Sequence, residues 1–100
     1  AASLQVVREA IGSQRRVDID YRDLAGHRSE RTVWPFALAY FDEVPMLAAW
    51  CELRGGFRHF RLDRIDSAQS QDKRYPTARS TLLKRWQREQ GITPDWLDRC

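Results

Sequence analysis

A chain of 100 residues, 42% hydrophobic and 11% aromatic, is long enough for one small core and too apolar to stay disordered, which argues against two domains with separate cores. No apolar run approaches the ~18 residues of a membrane span, and the N-terminus lacks the basic-then-apolar layout of a signal peptide, so the expected setting is cytoplasmic, away from any membrane. The net charge of +3 is uneven: residues 1–50 carry six basic and seven acidic side chains, residues 51–100 eleven and seven.

Leu4, Val7, Ala10 and Ile11 recur at helical spacing, predicting a short amphipathic helix over Ser3–Ser13 with Ser3 as N-cap and Gly12 near the stop. A helix at the very first residues reads as the start of an excised fragment. Val17, Ile19 and Tyr21 then alternate with Asp18, Asp20 and Arg22, the pattern of a half-buried strand, and Asp23-Leu24-Ala25-Gly26 turns it. His27–Trp34 returns as its partner. Pro35 cannot donate to a ladder, so it is expected at an edge or a strand start, with Ala37–Phe41 as a further short strand and Asp42-Glu43-Val44-Pro45 as the connection onward.

Met46 to Cys51 is a continuous apolar run of strand length, although a short buried helix would share the pattern. Arg54-Gly55-Gly56-Phe57 supplies a reversal, since glycine accepts positive φ. Beyond it Phe57, His59 and Arg61 point to one face and Arg58, Phe60 and Leu62 to the other. Ile65–Asp72 reads as a last, mostly polar strand. At Tyr75-Pro76 the character changes: Ser80–Gln90 places Leu82, Leu83 and Trp86 on a helix whose later residues Lys84, Arg85 and Arg88 suit its dipole, and a final turn holds Trp96 and Leu97. Helix, five or six strands in meander order, then helix describe an α+β chain whose antiparallel sheet is most economically curled into a small barrel. The division expected is a barrel domain over residues 1–75 and a C-terminal helical extension over residues 76–100.

The chemistry concentrates in the glycine hairpin. Arg54, Arg58, Arg61 and Arg64 fall there together with His59, and fifteen of the seventeen basic residues in the chain are arginine, the side chain suited to planar, bidentate recognition of phosphate or carboxylate. GC-rich coding would produce the same arginine bias, so the clustering and not the count selects this site. Two readings stand: an anion site, or surface ion pairs with Glu52, Asp63 and Asp66 worth about 0–1 kcal/mol each. Tyr21, Trp34, Trp50 and Phe60 offer faces on which bases could stack; Trp50 and Phe60 read as core, while Tyr21 is evenly placed between core and stacking face, because a phenol at a strand end often keeps its hydroxyl in water. Catalysis is not expected, because His27 and His59 lack a nucleophile and an orienting group, and Asp18 and Asp20 read as a solvated strand face. Nor is a cofactor or a metal: Cys51 and Cys100 have no ligand spacing and read as a core thiol and an incidental terminal one.

The segment from Trp50 to Ile65, WCELRGGFRHFRLDRI, resembles the signature of the WYL domain of bacterial transcription regulators of the YafY/DeoR-like class, where it follows a winged helix-turn-helix. The likeness runs back through Val17–Arg22, Gly26, Ser29-Glu30-Arg31 and Pro35–Leu38. The triplet that names the family falls on Pro45-Met46-Leu47, so only its leucine is kept and no ligand role of its Trp or Tyr carries over. The resemblance implies an Sm-like, SH3-type barrel with the first helix packed on it. It also implies a sensory module that binds an anionic effector, a single-stranded nucleic acid or a nucleotide, through Tyr21, Arg54, Arg58, His59, Arg61 and Arg64, and modulates a DNA-binding domain upstream. The rival reading is a structural module that forms a homodimer through Leu82, Leu83, Trp86, Trp96 and Leu97.

Overall fold

In a computed structural model that describes residues 2–90, helix α1 spans Ala2–Ser13 and buries Val7 and Ala10, three positions apart on one face. The stop falls later than Gly12. Gln14 takes the left-handed conformation, φ 56°, that ends the helix. Five strands follow, β1 (Arg15–Arg22), β2 (Arg28–Phe41), β3 (Val44–Cys51), β4 (Gly56–Arg61) and β5 (Ile65–Arg74), with a single 3-10 turn at Leu62–Arg64 before β5 and helix α2 at Arg79–Gln90 after it. All ladders are antiparallel and the strand order is β4-β3-β2-β1-β5. The α+β class is therefore that expected from the sequence, and β1 to β4 follow one another as a meander, whereas β5 crosses over to pair with β1 and not with β4. Neither described helix is long and apolar enough to cross a membrane.

The sheet is open where a closed barrel was expected: among the described residues no ladder joins β4 to β5. At the corner where they approach, the main-chain N–H of Arg61 donates to Tyr21 Oη at 3.3 Å, so a side chain from β1 occupies a position that a strand partner would take.

Strand β2 differs most from expectation. It is one continuous strand of 14 residues with Pro35 near its middle, not two short strands separated at the proline. The β1 ladder ends at the pair Val17–Val33, so Pro35 has β3 on one side only and its missing N–H leaves no partner unsatisfied. Just past it, between Pro35 and Ala37, the register with β3 shifts by one residue. That bulge at Phe36 exchanges the faces of the strand: Val33 packs with α1, whereas Trp34, Phe36 and Ala37 pack with α2 and Leu38 returns to the α1 side. Two cores result. One, beneath α1, gathers Val7, Val17, Ile19, Val33, Leu47 and Phe60; the other, beneath α2, gathers Phe36, Ala48, Phe57, Tyr75, Leu82 and Trp86.

The turns also shift by a residue or two. The β3–β4 reversal occupies Glu52–Gly55, with Gly55 at φ 61° and its N–H on the Cys51 carbonyl at 2.9 Å, while Gly56 already pairs with Cys51 in the ladder. Asp42 and Glu43 form a two-residue turn with φ of 49° and 66°, the primed geometry that matches strand twist, built here without glycine. Helix α2 is anchored by Leu82 and Trp86, both fully buried within this chain, which removes them from the dimer face suggested by the sequence. Trp96 and Leu97 lie outside the described residues. The start of α2 is fixed by Gln14, whose main-chain oxygen accepts the Tyr75 N–H at 3.0 Å and whose Oε1 accepts the Arg79 N–H at 2.8 Å.

Glycine at position 43 is expected to relieve a left-handed conformation that costs a side-chain residue about 1 kcal/mol, raising Tm by roughly 4–8 °C; an unchanged or lower Tm for Glu43→Gly counts against the turn geometry. A second expectation comes from Tyr75, whose buried hydroxyl donates to the Pro35 carbonyl at 2.9 Å and whose pKa is pushed from 10.0 up to about 12 by desolvation. Because the folded pKa lies above the unfolded one, its contribution is complete below pH 10 and fades as pH rises toward about 12. Denaturant titrations at alkaline pH should show a steeper loss for the parent than for Tyr75→Phe, and equal slopes would contradict this assignment.

Candidate anion-binding cleft

Three strands that face the first core each end that row with a polar side chain. On β1 the row Val17, Ile19 ends in Tyr21; on β2, read backwards, Val33 gives way to Arg31 and Ser29; on β4 Phe60 gives way to Arg58. Together with Arg54 and His59 of the β3–β4 hairpin and Asp23 and His27 of the β1–β2 turn, they line an open cleft of about 470 Å³. The cleft is the mouth of the first core. Tyr21 stands edge-on to Phe60, with ring centroids 5.0 Å apart, which fixes the phenol at the wall.

Of the six residues expected from the sequence, Tyr21, Arg54, Arg58 and His59 come together here, and Arg61 and Arg64 are not part of the lining. Arg61 grips Asp63 in a two-pronged pair at 3.0 and 2.7 Å, which raises the guanidinium pKa and holds the Asp63 carboxyl below the usual range. Arg64 Nη1 donates to the Asp23 carbonyl at 3.0 Å and so braces the turn that borders the cleft. Sequence reasoning missed Arg31, Asp23, His27 and Ser29 as members of the site. The signal for Arg31 is a cation at a core-facing position: it pairs with Ile19, 2% exposed, and continues the row of Val33.

The charge balance of the cleft is one-sided. Arg31 donates from Nε to Ser29 Oγ at 3.2 Å and from Nη1 to Cys51 Sγ at 3.6 Å, and Arg58 donates from Nη1 to its neighbour's carbonyl, Phe57 O, at 2.6 Å. Neither these two nor Arg54 is ion-paired among the described residues. The one carboxylate in the lining, Asp23, is occupied by its own turn, accepting the N–H groups of Ala25 and His27 at 2.9 Å each. The His27 N–H is the main cause that holds its pKa below the usual carboxylate range, with desolvation opposing and Ala25 assisting. A depression of about 500 Å³ between Asp18, Asp20 and Gln69 offers no comparable excess, since Asp18 accepts from Thr32 and Gln71 and Asp20 from Arg28.

A family model described as the WYL domain matches residues 2–70. The chain belongs to the WYL domain family. Among solved structures, the proteasome accessory factor B/C (PafBC) of Arthrobacter aurescens is similar, with 27% identity over 77% of this chain and a TM-score of 0.70. This chain spans 12% of the length of that protein. No curated protein matches it. In this WYL domain the altered triplet lies on β3, away from the cleft: Leu47 is fully buried in the first core, and Pro45 and Met46 face Tyr40 and Ala39 across the β2–β3 hairpin.

His59 links the cleft to α2. Its Nε2 accepts the indole N–H of Trp86 at 2.8 Å, so that nitrogen carries no proton, and burial lowers the imidazole pKa below 6.5. A lowered folded pKa means that the contribution is present above pH 6.5 and is lost as pH falls through the folded value. Replacing His59 by Gln keeps an acceptor for Trp86 and removes the proton site. The parent should therefore lose more Tm than His59→Gln between about pH 7.5 and pH 5, and parallel curves would contradict a neutral, accepting His59.

Proposed function

We propose that this WYL domain is the effector-sensing part of a transcription regulator and that the cleft binds an anionic effector, a short single-stranded nucleic acid or a nucleotide. The observation that carries the reading is the convergence of Arg31, Arg54 and Arg58, none ion-paired among the described residues, on one cleft walled by Tyr21. Guanidiniums present planar donor forks that match phosphate oxygens, and the phenol hydroxyl of Tyr21 adds a donor and an acceptor. An open mouth on a rigid sheet suits a strand of sugar-phosphate that runs past it better than a small ligand that must be enclosed.

A sensor also needs the effector to prefer one of two states. Arg58, His59 and Phe60 are consecutive on β4, and His59 holds Trp86 of α2, so a ligand that pulls on Arg58 acts on the strand that carries the α2 contact. In this reading a DNA-binding domain upstream in the full-length regulator responds to that change. Closure of the open sheet at the corner now filled by Tyr21, toward the barrel that the resemblance implies, would be the second state.

Fluorescence anisotropy with a labelled single-stranded oligonucleotide at several salt concentrations tests the proposal. Arg31→Ala, Arg54→Ala and Arg58→Ala should each weaken binding and flatten the log–log salt slope by about 0.7 for each phosphate left without its guanidinium, because each neutralised phosphate releases condensed counterions. Arg61→Ala, which breaks only an exposed pair with Asp63, should bind nearly as the parent does. Equal salt slopes for parent and cleft variants would overturn the phosphate-binding reading.

A further inference from the structure

Strand β2 has partners on both sides only as far as Val33; from Ala37 to Phe41 it is bonded to β3 alone. Which main-chain groups remain free follows from the ladder. Tyr40 faces Pro45, which has no N–H, and the two-residue turn at Asp42 and Glu43 closes on the pair Phe41–Val44, so the hydrogen-bonded pairs are Phe41–Val44, Ala39–Met46 and Ala37–Ala48. Leu38 and Tyr40, between them, therefore direct their N–H and C=O away from β3. Upstream on the same edge, the Pro35 and Phe36 carbonyls are taken by Tyr75 Oη and Arg79 Nε at 2.9 and 2.7 Å. No described group bonds to the outward main chain of Leu38 or Tyr40.

That free edge lies at the bottom of a groove. Ala37 and Leu38 belong to opposite faces of the sheet, yet both line one depression of about 320 Å³, because it straddles the strand edge with Arg8 and Ile11 of α1 on one wall and Arg79 and Leu83 of α2 on the other. An adjoining depression of about 280 Å³ shares Arg8 and Leu38 and continues past Tyr40. Neither Arg8 nor Arg79 is ion-paired among the described residues, and the single carboxylate in the lining, Asp63, is held by Arg61.

We propose that this groove takes an extended acidic segment of a partner protein, which adds as a strand to the Leu38–Tyr40 edge of β2. Main-chain N–H and C=O groups at alternate residues supply the pairing, the apolar walls accept small side chains on either face of the added strand, and Arg8 and Arg79 select for carboxylates along it. The charges also disfavour a second copy of this chain on the same edge, since two-fold pairing of β2 with β2 would bring the Arg8 and Arg79 guanidiniums of both copies together. The site is separate from the arginine cleft, and the inference does not depend on what that cleft binds.

Hydrogen exchange and titration of the 100-residue chain with acetylated heptapeptides that alternate Glu with Val and Thr, against lysine counterparts of the same alternation, test it. In the peptide-free chain the Leu38 and Tyr40 amides should exchange quickly and those of Ala37 and Ala39 slowly. The glutamate peptides should slow Leu38 and Tyr40 exchange by about tenfold or more and bind about tenfold more tightly than the lysine peptides. Tyr40→Pro removes an outward N–H and should fold but lose the peptide, whereas Ala39→Pro removes an N–H bonded to Met46 and should break the hairpin. Should Tyr40→Pro not fold, Arg8→Glu on the exposed side of α1 remains decisive, with affinity for the glutamate peptides expected to fall about tenfold. Three results would overturn the proposal: equal affinity for the two peptide series or for Arg8→Glu and the parent; Leu38 and Tyr40 amides protected without peptide at every concentration, which means that the chain covers its own edge; and protection that grows with protein concentration, which means a second copy.

Discussion

The constraint on which this structure depends is the two-residue period of strand side chains, which the bulge at Phe36 breaks within β2; the β1–β5 ladder has its own register shifts, between Arg15 and Val17 and between Asp20 and Tyr21. Below the break, Val33 and its neighbours Val17 and Cys51 close the core under α1; above it, the exchange of faces lets Phe36 and Ala37 meet Leu82 and Trp86 while Leu38 stays with Leu47. A single long strand thereby serves two cores. Without the bulge, Ala37 and Leu38 would trade sides, placing a leucine under α2 and leaving alanine to fill the α1 side. The proline beside it is tolerated because the neighbouring ladder has already ended, and the carbonyls it leaves unpaired are the ones that Tyr75 and Arg79 use to hold α2 in place.

The same period builds the cleft. A core-facing row that reaches the sheet boundary must continue into solvent, and this chain places Tyr21, Arg31 and Arg58 at those continuations. Arginine suits such positions because its aliphatic stem covers the core edge while the guanidinium stays wet. Arg61, on the alternate face and two residues from Asp63, finds its partner locally instead, at 2.7 Å. Two arginines three positions apart on β4 thus have different chemistry, set by strand parity and by a nearby carboxylate.

Much of the architecture was legible in the sequence because it rests on local pattern: the alternation of Val17, Ile19 and Tyr21 and the helical spacing of Leu82 and Trp86 stand in the structure as the pattern predicts, and the glycine turn at Gly55 lies within a residue or two of its expected position. What escaped was non-local. Whether Pro35 interrupts a strand depends on where the β1 ladder ends, and Arg31 joins Arg58 only through pairings across three strands. The positive φ of Gln14, Asp42 and Glu43 carries no glycine or asparagine to announce it. Arg61 and Arg64 are close to the cleft residues in sequence alone: strand parity turns Arg61 to the other face of β4, and Arg64 lies on the one-turn 3-10 segment that redirects the chain at Leu62.

Gln14 gathers three constraints in one residue: it terminates α1 with a left-handed backbone, its carbonyl holds the residue that follows β5, and its side chain caps the first turn of α2. Two helices far apart in sequence and on opposite faces of the sheet are therefore secured at the same point. A fluctuation that returns Gln14 to an ordinary backbone angle breaks the Tyr75 and Arg79 contacts together, so the two helices form one cooperative opening unit, and their slowest amides should share a single opening free energy below that of the central β2–β3 pair.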